Sequence, residues 1–176
     1  MDDRAVGYAL WLLPEDQTLK HFQDKITELS ERCNTPEFEA HITLLSGLSG
    51  DESTLIQATT DLAAQTDPIE IKITRAGYRE SYFQNLFVHI EETQSLKKIR
   101  EKAFSVFNHE ELEDKTFMPH VSLLYGHLAA EEKERILMDV GHEFDITCQV
   151  TSLKLVKTQG RVSQWENLYT ANLGNS

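Results

Sequence analysis

Basic charge is scarce in this sequence: 17 lysines and arginines stand against 29 aspartates and glutamates, a net charge of −12 over 176 residues. A general grip on long nucleic acid needs a basic surface to neutralise phosphates, so that class of partner is not expected. A small anion held by a few local donors stays open. Cysteine is scarce too. Cys33 and Cys148 show no metal spacing and read as small buried hydrophobes. No signal peptide is visible, so a reducing cytoplasm is the expected setting. The opening apolar run, Ala5 to Leu13, follows Asp2, Asp3 and Arg4 and stops at Pro14 without a cleavage site. It is far too short to span a bilayer; a buried strand is the better reading, and no membrane partner is expected. Also missing are a basic tract, a low-complexity segment and a Gly-, Ser- or Pro-rich linker between the halves. The 40% apolar and 26% charged residues fit a soluble globular chain, long enough for one good-sized domain or two small lobes sharing a core.

What is present is a repeat. His41-Ile42-Thr43-Leu44-Leu45-Ser46-Gly47 returns as His120-Val121-Ser122-Leu123-Leu124-Tyr125-Gly126. Histidine, both leucines and the glycine coincide. Ile42 and Val121 are both β-branched; Thr43 and Ser122 both carry a hydroxyl. Each copy is apolar and β-prone, so each reads as a short strand. Side chains alternate along a strand, so His41 and Thr43 share one face, and so do His120 and Ser122.

The remaining periodicities place these strands in an alternating order. A strand is expected over 5–13, and a helix over 17–32 on the stripe Leu19, Phe22, Ile26 and Leu29. The first motif strand follows over 37–46. Ser49 and Glu52 offer a capping box for a helix to about residue 65. Ile69, Ile71 and Ile73 alternate with polar residues over a strand at 69–75, Gly77 marks a turn or bulge, and Tyr82 to Ile90 reads as the hairpin partner. Thr93 caps a third helix. Residues 108–117 are acidic and read as a loop, and Pro119 introduces the second motif strand. A fourth helix over 129–140 and strands near 143–149, 151–158 and 164–172 complete the chain. The pattern is a duplicated α+β unit: a single domain over 1–176 whose two lobes bring their motif strands side by side.

Two facing imidazoles can do opposite jobs near neutrality, one removing a proton from water and the other protonating a leaving oxygen. Phosphoryl transfer suits such a pair, because attacking and leaving oxygens lie in line on opposite sides of phosphorus. The hydroxyls of Thr43 and Ser122 can donate to the non-bridging oxygens. A cyclic phosphodiester holds its leaving oxygen near phosphorus, so water and two proton handlers suffice. No two-metal carboxylate cluster is visible, and neither a metal nor another cofactor is expected.

The paired His-x-Thr/Ser motifs resemble the 2H phosphoesterase superfamily. Tyr8-Ala9-Leu10-Trp11-Leu12-Leu13-Pro14 and Tyr82-Phe83-Gln84-Asn85 make the sequence most similar to its cyclic phosphodiesterase branch. The resemblance covers essentially the whole chain. It implies a bilobal LigT-like fold, two antiparallel sheets flanked by helices around a central cleft. It implies hydrolysis of 2′,3′-cyclic nucleotides to 2′-phosphates, and of ADP-ribose 1″,2″-cyclic phosphate, a by-product of tRNA splicing, to ADP-ribose 1″-phosphate. It assigns the base to His120 and the acid to His41, and it sets Tyr125, with Phe83 or Tyr82, near the base or ribose. The expected partner is a small nucleotide cyclic phosphate, met by a monomer.

Plainer readings stand beside each of these. A lone histidine in an apolar strand is usually a hydrogen-bonded core residue; the repeat with matched hydroxyls reverses that here. Thr43 and Ser122 could merely satisfy backbone groups. Tyr125, Phe83 and Tyr82 taken singly read as core or rim. His21 and His109 read as surface, His89 as structural and His127 as incidental. Arg75, Lys72 and Lys154 could bring positive charge to the cleft, and nothing in the spacing selects among them. Three rivals remain: action on RNA ends or 2′,5′-linked oligonucleotides, a non-catalytic nucleotide-binding module, and a two-histidine metal site that lacks further ligands.

Overall fold

The computed structural model describes residues 3–109 and 117–174. In chain order they form β1 (Tyr8–Pro14), α1 (Asp16–Cys33), β2 (Ile42–Leu48), α2 (Glu52–Ala64), β3 (Ile69–Gly77), a 3₁₀ turn (Tyr82–Gln84), β4 (Leu86–Ile90), α3 (Gln94–Val106), β5 (His120–Leu124), α4 (Ala130–Val140), β6 (Glu143–Lys157), a second 3₁₀ turn (Val162–Gln164) and β7 (Glu166–Asn172). This is the expected α+β architecture of helices on antiparallel strands.

The strand order is β1-β2-β5-β4-β3-β6-β7, and β1 also pairs with β6. Hydrogen bonding therefore runs in a closed circuit, and the two sheets implied by the resemblance are continuous as one seven-stranded sheet. The joint is β6. Its Glu143-to-Val150 half pairs with β3, while its Val150-to-Lys157 half pairs with β1 and, from Ser152, with β7. The sequence suggested two strands here. Val150 pairs with both Ile69 and Pro14, so the segment passes from one partner to the next without a turn. Strand β1 is buried on both faces: Leu10 and Leu12 join the main core, while Ala9, Trp11 and Leu13 form a second cluster with Val156, Leu19 and Trp165.

Helices cover one face of this sheet. Phe22, Ile26 and Leu29 form the buried stripe of α1, which packs on β1 and β5; α3 packs on β2 and β3, and α2 on β6 and β7. Beneath them lie Ile42, Leu44, Val121 and Leu123, all at most 2% exposed. Alternation sends the residues between them to the other face. Helix α1 ends within a residue of the expected bound, and its C-cap Asn34 lies in the left-handed region (φ 52°). The α2 cap is Asp51, not Ser49: its carboxylate accepts the N–H groups of Ser53 and Thr54. Thr93 caps α3 as expected, accepting from the Leu96 N–H.

Two further expectations change. Tyr82 to Gln84 is a 3₁₀ turn, not the start of β4, because the Tyr82 carbonyl accepts the Gly126 N–H and draws this segment toward the end of β5. Gly77 is a strand residue, where an added Cβ would fall 3.2 Å from His89 Nε2; the break in the β3 ladder lies earlier, between Ile73 and Arg75. The acidic loop expected over 108–117 falls mostly on residues 110–116, outside the described residues.

Candidate active site

The two motif strands are neighbours. Strand β2 pairs antiparallel with β5 through Ile42 and Val121, the middle residue of each His-x-Thr/Ser motif. Both middle side chains point into the helix-covered core. Extending that register by one residue each way sets His41 opposite Ser122 and Thr43 opposite His120, all four on the other face. The histidines then lie on the diagonal of this square, where Cα separations are roughly 7–8 Å. His41 feels the charge of His120, as that spacing requires.

Each histidine is tied the same way. His41 Nδ1 donates to the Glu39 carbonyl at 2.6 Å, and His120 Nδ1 donates to the Met118 carbonyl at 2.7 Å. The carbonyl two residues upstream fixes the tautomer, because an oxygen there can only accept. In the neutral ring this leaves Nε2 as the free acceptor. Burial pushes the His41 pKa down to about 4, with the carbonyl and carboxylate of Glu39 opposing and His120 and Lys154 adding to the fall. Burial likewise lowers His120, the Met118 carbonyl opposes, and Arg79 adds to the fall. His41 is 6% exposed and His120 is half-buried, so the pair is reached from the His120 side.

The hydroxyls differ. Thr43 is half-buried and its hydroxyl makes no hydrogen bond to a described residue, so that donor is free. Ser122, 5% exposed, donates to the Phe83 carbonyl at 3.1 Å. The plainer reading, a hydroxyl satisfying backbone, thus holds for Ser122 in this structure and not for Thr43.

An aromatic belt surrounds the square. The Trp11 indole lies flat on His41, with ring centroids 3.6 Å apart and planes 9° apart. It occupies that position because Trp11 is the cross-strand partner of Thr43. Trp165 meets Trp11 edge-on at 6.1 Å and lies over Phe83 at 6.0 Å, linking the two halves. Tyr125 does come round to the site: β5 ends at Leu124, and the next residue turns back beside Ser122 and Phe83. It is nevertheless 3% exposed, stacked on Phe38 at 3.7 Å, and burial raises its hydroxyl pKa. Phe83 is half-buried and Tyr82 meets it edge-on at 5.0 Å.

Among the three candidate cations, Lys154 pairs with Trp11 across strands and is bound to Glu39 at 2.6 Å, Lys72 faces Asp145 at 3.8 Å, and Arg75 is the cross-strand partner of His89. His89 in turn is the cross-strand partner of His120, so it stands beside the site and is not merely a core histidine. His21 and His127 are exposed. Sequence reasoning missed the roles of Trp11, Trp165, Glu39 and Arg79. Alternation along β1 could have flagged Trp11; the carbonyl ties leave no mark in side-chain identity.

Residues 6–173 match the family described as cyclic phosphodiesterase-like protein. The chain is 25% identical over 178 residues to a cyclic phosphodiesterase of Arabidopsis thaliana, covering 94% of each chain. In fold it is similar to TT0787 of Thermus thermophilus, with a TM-score of 0.67 at 14% identity, covering 96% of this chain and 98% of that one. It is also similar to Escherichia coli LigT, crystallised with 3′-AMP, with a TM-score of 0.62 at 15% identity and coverage of 98% and 100%. These likenesses define a 2H phosphoesterase. The chain belongs to the cyclic phosphodiesterase-like family, whose named relative is an enzyme.

Proposed function

We propose that this protein hydrolyses small cyclic phosphodiesters with His41 and His120 as proton handlers, without a metal. The observation that carries the reading is the Ile42–Val121 pairing, which puts two carbonyl-tied imidazoles and two hydroxyls around one point. The substrates are 2′,3′-cyclic nucleotides, opened to 2′-phosphates, and ADP-ribose 1″,2″-cyclic phosphate. LigT structures with 3′-AMP, ATP and NADP+ support a nucleotide-sized ligand. Among the described residues no group of three His, Cys, Asp or Glu side chains is arranged to hold a metal.

With pKa values pushed below that of an ordinary imidazole, both rings favour the neutral form near pH 7 in the free protein. A cyclic phosphate brings a negative charge, which raises both. The neighbours then separate their roles. Arg79 disfavours a second cation at His120, which stays neutral and takes the proton of the attacking water. Glu39 and the face of Trp11 favour the His41 imidazolium against the burial, His120 and Lys154 that oppose it, and with the charge of the phosphate added it protonates the leaving ribose oxygen. Thr43 donates to a non-bridging oxygen, and Ser122 does so by leaving the Phe83 carbonyl. Phe83 forms the wall beside the ribose, backed by the buried Tyr125.

The test is turnover of the four 2′,3′-cyclic nucleotides and ADP-ribose 1″,2″-cyclic phosphate, with product identity read out, in the presence of EDTA. A 2′-phosphate product formed at full rate in EDTA is expected. No turnover of any cyclic phosphate, or turnover abolished by EDTA, overturns the reading.

A further inference from the structure

A row of bases leads away from the square on the side opposite Lys154. His120 on β5 is the cross-strand partner of His89 on β4, and His89 is the cross-strand partner of Arg75 on β3. Directly paired residues point to the same face. At one strand spacing of about 4.8 Å per step, His89 and Arg75 stand about 5 and 10 Å from His120 along the sheet. Gly77, beside Arg75 in the strand sequence, has no side chain, and an added Cβ would crowd His89 Nε2 at 3.2 Å.

Arg79 joins this row from the loop after β3, and its backbone is held from both sides. Its N–H donates to the Gln84 carbonyl at 3.0 Å. Its carbonyl accepts from Lys133 Nζ at 3.1 Å. Lys133 is 0% exposed, and it also meets the exposed Glu80 carboxylate at 3.2 Å. A fully buried lysine is costly unless its charge is used, and this one fixes the loop carrying Arg79. The Arg79 guanidinium itself donates only to the Gln84 side-chain oxygen, at 3.3 Å. Neither Arg75 nor Arg79 forms an ion pair with a described carboxylate, although Glu143 is the β6 partner of Arg75. The other side of the site differs, because there Lys154 is neutralised by Glu39. In a chain of net charge −12, unpaired cations on one side of the site give it a direction.

We infer that Arg75 and Arg79, with His89, form a second anion subsite that takes a phosphate on the 5′ oxygen of the ribose whose cyclic phosphate lies between His41 and His120. This rests on the proposed function for the placement of the first phosphate. Arginine suits the task, since its planar fork meets two phosphate oxygens at once. The subsite separates plain cyclic nucleosides from substrates continuing beyond the 5′ carbon in a phosphate, a pyrophosphate or another nucleotide.

The experiment is calorimetric titration of the full chain with a nucleoside 2′-phosphate and with the corresponding 2′,5′-bisphosphate. The bisphosphate is expected to bind at least about tenfold more tightly, the scale of one hydrogen bond to a charged group. In the double variant R75Q/R79Q that advantage should fall below about threefold, and in Arg79→Lys it should fall only in part. Both arginines are exposed, so the variants fold, and far-UV circular dichroism checks this. Equal affinities for the two ligands, no binding of either, or an advantage that survives in the double variant overturns the inference. If cyclic phosphates are not turned over but the bisphosphate advantage is present and depends on the arginines, the subsite stands and the hydrolytic reading falls.

Discussion

The two copies of the motif share a backbone and differ in their surroundings. Both histidines point their Nδ1 at a carbonyl two residues upstream, at 2.6 and 2.7 Å. Around that common frame everything else diverges. His41 is sealed under Trp11, beside a carboxylate. His120 is half-open, beside His89 and within the field of Arg79. Thr43 keeps its hydroxyl free, while Ser122 gives its own to Phe83. A duplicated device thus supplies position, and unlike neighbours supply unlike surroundings. Burial lowers the pKa of both rings, and what differs is the carboxylate beside His41 and the arginine near His120; under the proposed reaction that difference divides acid from base.

The sharpest way to break this comparison is to remove each ring. His41→Ala and His120→Ala should each lower kcat on a 2′,3′-cyclic nucleotide by on the order of a hundred-fold or more, and the double variant should lose far less than the product of the two. Wild-type turnover in either single variant would remove that histidine from the chemistry.

The buried ring should also show in stability. An unfolded imidazole takes a proton near pH 6.5, whereas folded His41 does so only near 4. Between those values the unfolded state holds more protons, so stability falls as pH drops from about 6.5 to about 4 and is fully present above that window. The two pKa values correspond to about 3 kcal/mol. Urea unfolding at pH 7 and pH 5 should show His41→Gln losing less stability on acidification than the parent chain; equal losses would mean the ring is not held neutral by burial.

The hydroxyls should separate next. Thr43→Val should cost about tenfold in kcat with little change in stability. Ser122→Ala should cost activity too, and in addition about 1 kcal/mol of stability, or 2–4 °C in Tm, because the buried Phe83 carbonyl loses its donor. Equal effects on Tm would erase the difference between the copies.

The smallest effect lies in the charges. Lys154 lowers the His41 pKa directly and also binds the Glu39 carboxylate that raises it. Lys154→Met removes both restraints, so His41 should titrate higher by imidazole NMR while His120 stays put. Arg79→Gln should do the reverse, raising His120, and His89 with it, while His41 does not rise. Movement of both rings in either variant would show that the two settings are not independent.

Much of this was legible in the order of residues. The repeat announced two strands carrying an imidazole and a hydroxyl on one face, because strand periodicity alone fixes that relation. Helical stripes such as Phe22, Ile26 and Leu29 named the buried face of α1, and Thr93 named a cap. The alternation of Ile71 and Ile73 with polar residues gave β3. Less was legible where one residue type serves several ends. Trp11 does not stand out in a strand apolar on both faces, yet one of those faces carries His41. Ser49 and Asp51 are both good caps, and only the helix start chose between them.

What sequence alone determined, then, is chemistry and local direction: which side chains exist twice, and which way each points from its own strand. Tertiary structure decided which of them meet. The pairing of Ile42 with Val121 joins segments almost eighty residues apart, and such a contact depends on how the whole sheet closes through β6. The same closure put Trp11 against His41 and Arg75 in line with His120. Hydrogen-bond register and burial are properties of the assembled sheet, and no single stretch of chain carries them.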